Sequence, residues 1–407
     1  MKWEKVKLGN VCEITSSKRI FYSEYVDDGV PFYRSKEIIE SDEGKVIENP
    51  LYISVDKYNE IKEKFGVPQI GDMLLTSVGT IGIPYIIKKK DCFYFKDGNL
   101  TWFRDFREGL NSKYLYYWIK SSEGTGILYN TTIGSSQKAL TISALKNIKV
   151  SLPPRGVQDK IVEVVSAYDD LIENNQKQIK LLEEAAQRLY KEWFVDLNFP
   201  GHENTKIVDG VPEGWRVARI ADICDTVGGG TPSTKIQSYY EKGDILWVTP
   251  TDITRNFSLA LLDTEKKITP EGLKNSSAKM LPAETILMTS RASVGFFGMC
   301  KYEVCTNQGF ISCIPKRENL QMYLLFNLKS RVEEIRQKAG GSTYLEISKT
   351  VFRELKIILP KDEVLAEYQK NVHDIFDEIY CRTEMIKSLV DMRNRLLPKL
   401  MSGEVEV

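Results

Sequence analysis

The residues best suited to chemistry in this sequence of 407 residues lie in the segment GGGTPSTK, Gly228–Lys235. Its glycines, hydroxyl side chains and lysine are groups that hold phosphate oxygens. A nucleotide-binding P-loop has the spacing G-x-x-x-x-G-K-[ST] between a strand and a helix. Here the lysine is spaced differently, and the next residues, IQSYYEKGDILWVTP, predict a strand. No glycine completes the dinucleotide pattern G-x-G-x-x-G either, so the segment predicts contact with phosphates without nucleotide binding.

Motifs of several enzyme classes are absent from the sequence. SLPPR, at 151–155, has the prolines of the [DNS]-P-P-[YFW] motif of amino-methyltransferases, but neither its leading polar residue nor its aromatic residue. There is no nucleophile elbow and no H-E-x-x-H pair. The two histidines fall in a linker (His202) and on the outside of a predicted helix (His373). These absences favour a binding protein over an enzyme.

The cysteines predict no metal site, because they are scattered and zinc takes four ligands at close spacing. We expect them to be reduced and buried. No apolar run reaches the roughly 18 residues of a membrane span, and the N-terminus lacks the apolar core of a secretory signal. The sequence therefore predicts a cytoplasmic protein without membrane contact. The cysteines are Cys12, Cys92, Cys224, Cys300, Cys305, Cys313 and Cys381.

The formal net charge is zero, but the charge is unevenly distributed. Residues 1–150 carry 22 basic and 19 acidic side chains, and residues 212–360 carry 20 basic and 16 acidic ones. The remaining segments are therefore acidic. Modestly basic globules joined by acidic connections suit a polyanionic partner, although an excess this small is also ordinary scatter.

The two halves of the sequence repeat the same order of segments. KWEKVKLGNVCEI returns as GWRVARIADICDT, LLTSVGTIG (74–82) as LMTSRASVG (287–295), and LTISALKNIKVSLPP (140–154) as LEISKTVFRELKIILPK (345–361). From Pro153 and Pro360 onwards the halves align without a gap. Internal repetition of this kind predicts two copies of one architecture.

Each repeat ends in a long amphipathic helix. From Gln158 to Leu197 the apolar residues recur at alternating spacings of four and three, the a/d pattern of a coiled coil. Helices of about 40 residues, about 60 Å long, need another helix as partner, and the obvious partner is the other copy. The first seam is Ile161, Val165, Tyr168, Ile172, Asn175, Ile179, Leu182, Ala186, Leu189 and Trp193, and the second is Tyr368, Val372, Ile375, Ile379, Arg382, Ile386, Leu389, Arg393, Leu396 and Leu400.

The predicted fold is therefore α+β, with two mixed α/β globules that are each followed by a long helix. The two helices form an antiparallel coiled coil with pseudo-twofold symmetry. Asn175 and Arg382 fall near the pseudo-dyad, where they either fix the register or are merely tolerated. LNSKYLYYWIKS and ENLQMYLLFNLKSRVEEIRQKAG each predict one helix. The predicted boundaries are 1–155 and 215–360 for the globules, 156–197 and 361–402 for the helices, and 198–214 for the linker.

Loops rich in glycine and hydroxyl groups recur in equivalent places of the two globules. They are TSVGTIG with TSRASVG, and TTIGSSQKALTIS with KAGGSTYLEIS. Backbone N–H groups, hydroxyls and nearby lysines or arginines contact DNA phosphates, whereas Arg, Lys, Gln and Asn side chains read base edges. One such loop is most simply a turn, and only the recurrence favours a binding surface.

Three segments resemble one known family. LPPRGVQDKIVEVVSAYDDLIENNQKQIKLLEEAAQRLYKEWFVDLNFPG resembles the first conserved helix of the specificity (S) subunit of type I restriction–modification systems. GGGTPSTKIQSYYEKGDILWVTPTDI resembles the start of a target recognition domain in that family, and GSSQKALTISALKNIKVSLPP resembles the end of one. The resemblance covers essentially the whole chain and implies that both globules are target recognition domains and both helices conserved spacer helices.

The resemblance implies a non-catalytic subunit that binds double-stranded DNA. Each target recognition domain would read one half of a split target, and the helices would set the spacer between the halves. Family members bind two methyltransferase (M) subunits, which carry the S-adenosylmethionine site, and motor-nuclease (R) subunits. No cofactor is expected on this chain. TSSKRIFYSEY in the first globule lacks the GGTPS of the second, so an asymmetric target is expected.

The resemblance does not identify contact residues, because the loops that read DNA diverge in sequence. The candidates follow from side-chain chemistry and loop position, with Arg291 foremost. In the first globule they are Arg34, Lys36, Ser77, Thr80 and Lys138, and in the second they are Thr231, Ser233, Lys235, Thr249, Arg291, Gln308, Ser342 and Tyr344.

Three other interpretations stay open. The chain could be a protein–protein scaffold whose helices dimerise, a methyltransferase or nuclease fragment, which binding of S-adenosylmethionine would favour, or an S-like subunit of an enzyme with fused methylase and nuclease parts. Salt separates the first of these from a DNA reader, because the affinity of a phosphate-binding protein falls steeply as the salt concentration rises.

Overall fold

The structure, a computed structural model, describes residues 3–45, 47–134, 138–341 and 345–407. The chain forms two compact units. The first unit comprises Met1–Asp170 together with Val390–Val407, and the second comprises Leu171–Leu389. Both boundaries between the units fall inside long helices, so neither follows a predicted domain boundary.

The first 194 residues contain ten strands and six helices among the described residues. The strands are β1 (Glu4–Lys7), β2 (Glu13–Thr15), β3 (Tyr25–Val26), β4 (Val30–Tyr33), β5 (Leu51–Ile53), β6 (Met73–Thr76), β7 (Pro84–Ile86), β8 (Tyr94–Phe95), β9 (Leu100–Arg104) and β10 (Lys149–Leu152). The helices are α1 (Ser35–Asp42), α2 (Val55–Phe65), α3 (Ser112–Lys120), α4 (Ser122–Thr131), α5 (Ile142–Asn147) and α6 (Arg155–Phe194).

The strands of the first unit form two four-stranded sheets and one two-stranded ladder. The orders are β2-β9-β6-β7 and β3-β5-β4-β8, and β1 pairs with β10. All pairs are antiparallel except β4 with β8. Strand β6 is buried on both faces, which is why its sequence MLLT does not alternate between apolar and polar residues. The largest core of the unit packs α3 against both long helices, through Ile161 and Val165 of α6 and Leu400 near the C-terminus.

The remainder of the chain contains a second set of eleven strands and seven helices among its described residues. The strands are β11 (Ile207–Val208), β12 (Val211–Pro212), β13 (Arg216–Arg219), β14 (Cys224–Val227), β15 (Ile245–Val248), β16 (Lys267–Ile268), β17 (Ile286–Thr289), β18 (Phe297–Gly298), β19 (Cys305–Thr306), β20 (Phe310–Pro315) and β21 (Lys356–Leu359). The helices are α7 (Ile220–Ile223), α8 (Pro250–Thr254), α9 (Pro270–Lys274), α10 (Gln321–Ser330), α11 (Val332–Gln337), α12 (Lys349–Arg353) and α13 (Asp362–Ser402).

The sheets of the second unit repeat those of the first. The order β14-β20-β17-β18 reproduces β2-β9-β6-β7, and β13 pairs with β21 as β1 pairs with β10. Strand β15 pairs antiparallel with β16 and parallel with β19, as β4 does with β5 and β8. Strands β11 and β12 form a hairpin within the predicted linker. The predicted duplication of a mixed α/β globule is confirmed.

The two predicted long helices are present, with slightly different ends. Helix α6 has 40 residues and ends three residues before the predicted boundary, and α13 has 41 residues. Every residue of both predicted seams is buried or half-buried. Apolar side chains at a and d positions are removed from water only when another surface covers the seam, so the burial identifies the seam as the packed face.

The helices run antiparallel wherever they meet within a unit. In the second unit the Tyr368 ring of α13 lies 5.7 Å from the Trp193 ring of α6, while Arg382 Nη1 donates to Asn175 Oδ1 over 3.1 Å. In the first unit Arg393 Nη1 lies 2.5 Å from Asp169 Oδ1. Residue numbers therefore rise along α6 in the direction in which they fall along α13, as in an antiparallel pair. The polar pair predicted near the middle of the seams is a hydrogen-bonded pair.

Replacement of Arg382 by alanine is expected to lower the free energy of unfolding by about 1–3 kcal/mol, because it leaves the buried Asn175 carboxamide without this donor. The double variant Asn175→Ile with Arg382→Ile is expected to recover most of that loss, since an apolar pair fills the seam without desolvated polar atoms. Urea denaturation of the wild type and both variants measures these free energies of unfolding. A larger loss in the double variant than in Arg382→Ala would contradict the expectation.

The helix predicted over LNSKYLYYWIKS is confirmed as α3, whereas the single helix predicted over ENLQMYLLFNLKSRVEEIRQKAG is wrong, because that segment forms α10 and α11, which are separated at Arg331. In the first globule a further helix, α4, follows α3 directly after Ser121. Ser121 caps α4 by accepting from Gly124 N–H over 3.1 Å. A Cβ on Gly124 would lie 2.0 Å from the carbonyl oxygen of Trp118, so glycine lets α4 turn closely onto α3.

The seven cysteines are free thiols, but two of them, Cys92 and Cys381, are exposed, which corrects the expectation that all are buried. Burial raises the pKa of the Cys300 and Cys305 thiols to about 12. Within the described part of the chain, no helix is both long enough and apolar enough to span a bilayer.

Candidate nucleic-acid interface

Five loop segments of the second unit meet at one surface. They contribute Gly228–Lys235, the start of α8, the turn after β17, the turn after β19 and the residues before α12. Gly230 N–H donates to Thr306 O over 2.9 Å, and Ser290 N–H donates to Gly309 O over 2.8 Å. Ile347 N–H donates to Ser290 O over 3.0 Å. Backbone hydrogen bonds therefore fix these loops to one another, and their side chains are presented from a rigid base.

Gly229 makes the closest approach in this surface. A Cβ at this position would lie 2.1 Å from Thr306 O and 2.3 Å from Asn307 O. Its neighbour Gly230 is similarly enclosed by Ser277. Gly229 is therefore needed for backbone packing against the turn after β19 and Gly230 for packing against Ser277, and the hydroxyl residues that follow them are exposed.

The structure brings together two candidates that are 77 residues apart in the chain. Thr231 Oγ1 donates to Gln308 Oε1 over 2.5 Å, and both residues are exposed. Ser233 and Lys235, on the same segment, are exposed as well. The hydroxyl and the amide in contact, with an exposed ammonium group four residues further along the segment, offer both phosphate contacts and base-edge contacts.

Arg291 and Glu346 form an exposed pair at the neighbouring edge. The two residues make an isolated β-bridge, and Arg291 Nε lies 3.7 Å from Glu346 Oε2. Both side chains are about half exposed. A guanidinium reads guanine and a carboxylate reads the cytosine amino group, so the pair has the chemistry of base readout.

Thr249 lies at the same surface but its hydroxyl is engaged. It precedes α8, where its Oγ1 donates to Asp252 Oδ2 over 2.6 Å and its N–H donates to the same atom over 2.8 Å. This is the arrangement of a helix N-terminus stabilised by an acidic third residue. Ser342 and Tyr344, the remaining candidates, lie outside the described residues.

The first unit contains the same loop frame. Ser77 N–H donates to Asn99 O over 2.8 Å, as Ser290 does to Gly309, and Val78 bridges Ala139 as Arg291 bridges Glu346. Leu140 N–H donates to Ser77 O over 2.9 Å. Equivalent backbone positions can therefore be matched by hydrogen bonds, and the arginine–glutamate pair of one unit is a valine–alanine pair in the other.

Ser77 itself is not available to a ligand, which corrects its choice as a contact residue. It is 1% exposed. Its Oγ lies 2.7 Å from Thr101 Oγ1 and donates to Leu75 O over 3.3 Å. The serine hydroxyl therefore forms its hydrogen bonds with strands β6 and β9 beneath the loop. The TSVG sequence alone does not show whether this serine is buried or exposed.

The other candidates of the first unit differ in which side chains already contact them. Thr80 and Lys138 are exposed, and Lys138 Nζ lies 3.7 Å from the centre of the Tyr129 ring. A hydrogen bond from Lys138 lowers the pKa of the Tyr129 phenol. Lys36 is exposed, and its Nζ lies 3.6 Å from Glu40 Oε1.

Arg34 is held by its own helix. Its Nη2 lies 2.6 Å from Glu37 Oε1, and its N–H donates to Glu37 Oε2 over 2.7 Å. The hydrogen bond to Glu37 raises the pKa of the arginine. Arg34 follows β4 as Thr249 follows β15, so the two candidates occupy equivalent positions at the start of a short helix.

Sequence reasoning missed four residues of these surfaces, namely Glu346, Arg19, Asp97 and Lys349. Arg19 Nε lies 2.9 Å from Asp97 Oδ2, and counting from β2 and β14 places Arg19 where the second unit has Thr231. Lys349 Nζ lies 3.0 Å from the Cβ position of Gly228. KRIF and GTPS share no motif, and the matched strands support the correspondence that the sequence repeat gives when it is continued without a gap.

Comparison with known proteins agrees with this architecture. A family model described as the type I restriction modification DNA specificity domain matches residues 1–184 and 212–390. The type I restriction enzyme MjaIX specificity subunit of Methanocaldococcus jannaschii is 28% identical, over all of this chain and 94% of that protein. The HindI specificity subunit of Haemophilus influenzae is 24% identical, over 65% of this chain and 71% of that protein.

A solved structure shares the fold. The crystal structure of a type I restriction–modification S subunit from M. genitalium covers 98% of this chain and 96% of its own, with a TM-score of 0.59 and 16% sequence identity. The family match extends over most of the chain and occurs twice, in keeping with the duplicated globule. The chain therefore belongs to the family of type I restriction–modification specificity subunits.

Proposed function

We propose that this chain is the DNA-reading subunit of a type I restriction–modification enzyme. Each globule reads one half of a split, asymmetric target in double-stranded DNA. The long helices set the number of unread base pairs between the halves and dock two methyltransferase subunits, to which motor-nuclease subunits add.

One observation carries this proposal: the two units build the same loop frame and fill it with different side chains. The first unit pairs Arg19 with Asp97, and the second pairs Thr231 with Gln308 of the equivalent turn. A conserved frame with exchanged surface groups is what two readers of different sequences require, because the backbone sets the docking geometry and the side chains select the bases. It also supports an asymmetric target.

The chemistry of methylation is assigned to the partner. The exposed groups of both loop surfaces are hydroxyls, amides, cations and carboxylates that suit recognition of phosphates and base edges. We propose that this chain binds no cofactor and that S-adenosylmethionine is held by the methyltransferase subunit. Binding of S-adenosylmethionine by this chain alone, measured by calorimetry, would contradict that division.

The proposal is tested by the salt dependence of binding. The complex of this chain with its methyltransferase partner is titrated with duplex DNA at salt concentrations from about 50 to 200 mM. A reader that makes six to ten phosphate contacts loses affinity by about 10³- to 10⁵-fold over this range. Assembly of a protein scaffold depends far less on salt. No measurable duplex binding at 50 mM would favour the scaffold.

Arg291→Ala is expected to weaken recognition of one half-site by about 1–3 kcal/mol and to leave the other half-site unchanged. The reason is that Arg291 is exposed on one loop surface only, at a position where the first unit has Val78. Binding to duplexes that carry single base changes in each half measures the effect. The matched control is Val78→Ala. Equal losses in both halves, or no loss, would remove Arg291 from the contact set.

A further inference from the structure

The first unit holds two aromatic side chains in water beside two cations. They lie in the segment KRIFYS, residues 18–23, which follows β2. Tyr22 is 90% exposed and Phe21 is 61% exposed. Rings of this size are normally covered by a core or an interface, since each carries a large apolar area. Exposure of both at one point indicates that a partner covers them.

The segment is fixed to the globule on either side of the rings. Lys18 N–H donates to the Tyr94 hydroxyl over 2.7 Å, and the side chain of Ile20 is buried. Phe21 N–H donates to Glu24 Oε2 over 2.7 Å. The rings are therefore held outward by an anchored turn. Because this turn is already ordered, binding of a partner to the rings costs little conformational entropy.

The surroundings of the rings favour a polyanion as the partner. Lys18 and Arg19 are exposed immediately before them in the chain. The nearest acid of the turn, Glu24, is neutralised by Lys57, whose Nζ lies 3.0 Å away. Hydrogen bonds from Phe21 N–H and from Lys57 lower the pKa of that carboxyl group. Lys18 Nζ lies 4.4 Å from the centre of the Phe65 ring, and Arg19 is paired with Asp97, but both side chains remain exposed. Exposed cations next to two aromatic rings form the combination that binds phosphates and bases together.

The position of the rings in the frame connects them with the proposed DNA surface. Counting from the matched strands β2 and β14, KRIFYS corresponds to GTPSTK of the second unit. Arg19 and Thr231 contact equivalent turns, through Asp97 in the first unit and Gln308 in the second, so both segments begin next to the same turn. The second unit has no aromatic residue in this segment. The rings therefore mark a difference between the two half-site readers.

We infer that Phe21 and Tyr22 form an aromatic wedge that stacks on bases of the first half-site at a partly unstacked base step. The inference rests on the proposed function and deepens it. Apolar side chains that enter a base step open the stack and kink the duplex, and aromatic faces stack on every base. The first globule thus reads in part through the ease with which its half-site deforms, which favours flexible pyrimidine–purine steps.

The test uses the complex of this chain with its methyltransferase partner and its selected DNA target. The adenine analogue 2-aminopurine, which fluoresces more strongly when unstacked, replaces in turn each adenine of a half-site except the one that the methyltransferase subunit would flip out for methylation. The wild-type complex is expected to raise the fluorescence in the first half-site only. Tyr22→Ala, alone and with Phe21→Ala, is expected to abolish that rise and to weaken target binding by about 5- to 150-fold. Tyr22→Trp is expected to keep both the fluorescence rise and the target affinity.

Tyr302→Ala is the matched control, because Tyr302 is an exposed tyrosine of the second unit that packs beside Tyr380 of α13. It is expected to change neither fluorescence nor affinity. If the wild-type complex selects no split target, the proposed function fails and the wedge fails with it. If the target is bound but Tyr22→Ala changes neither readout, only the wedge is wrong. Weaker association of Tyr22→Ala with the methyltransferase subunits, with the fluorescence rise retained, would also overturn it by making the rings a protein contact.

Discussion

Insertion of one heptad into each long helix is expected to abolish binding to the wild-type target and to shift the preferred spacer by about three base pairs. The insertions follow Asp170 in α6 and Leu389 in α13, at the boundaries between the two compact units. Seven residues lengthen a helix by about 10.5 Å, and base pairs are about 3.4 Å apart. A heptad keeps the a/d seam in phase, so the packing within each unit is preserved.

The loss on the wild-type target follows from the division of binding energy between the half-sites. With the separation wrong, only one half can be read at a time. Specific binding exceeds non-specific binding by about 4–10 kcal/mol, so loss of one half costs on the order of 2–5 kcal/mol. Three added base pairs also rotate the second half-site by about 100° around the duplex. The lengthened protein is therefore expected to bind its new target more weakly than the wild-type protein binds the wild-type target.

Selection from randomised duplexes by the lengthened protein measures the new spacer. The matched control inserts seven residues after Asn204, in the exposed linker between α6 and β13, where no helix is lengthened. This control is expected to retain the wild-type spacer. An unchanged spacer in the heptad variant would mean that the helices do not set the separation.

Gly229→Ala is expected to abolish recognition of the second half-site, with a loss of about 3 kcal/mol or roughly 100-fold in target affinity. The added methyl group would lie 2.1 Å from Thr306 O, a distance that requires the backbone to move. Displacement of the GGGTPSTK segment separates Thr231 from Gln308 and shifts Lys235. Several contacts are therefore lost together, which makes the effect larger than that of any one side chain.

The measurement is the affinity for targets with single base changes in each half, alongside urea denaturation to verify folding. The matched control is Gly156→Ala, because Gly156 is an exposed residue of α6 whose Cβ position has no atom within 4 Å apart from its chain neighbours and its own helix backbone. That substitution is expected to leave affinity unchanged and stability equal or slightly higher. Normal discrimination at the second half-site by folded Gly229→Ala would exclude the segment from the interface.

Periodicity and repetition in the sequence are strong enough to predict the architecture. Alternating spacings of three and four identify both seams, and the offset of 207 residues pairs Asn175 with Arg382, which are hydrogen-bonded. These features are local patterns that a packed helix must satisfy whatever the rest of the chain does. Helix α4 was not predicted, because its turn onto α3 depends on the close approach of Gly124 to the preceding helix turn.

The candidate site is predictable only in part, because loops are positioned by long-range hydrogen bonds. Serines in identical motifs can face inward, as Ser77 does, and the sequence carries no mark of that orientation. The contact between Arg19 and Asp97 joins two loops through the pairing of β2 with β9 and of β4 with β8. Strand register is set by burial across the whole sheet, so a single sequence does not reveal which loop ends become neighbours.

The most direct test of the central claim is a selection from randomised duplex DNA by this chain in complex with its methyltransferase partner. Two globules with one frame and different surface groups predict two short, unlike motifs at a fixed separation. The separation reports the length set by the helices. One continuous motif, two identical motifs, or no enrichment would contradict the assignment of each globule to its own half of the target.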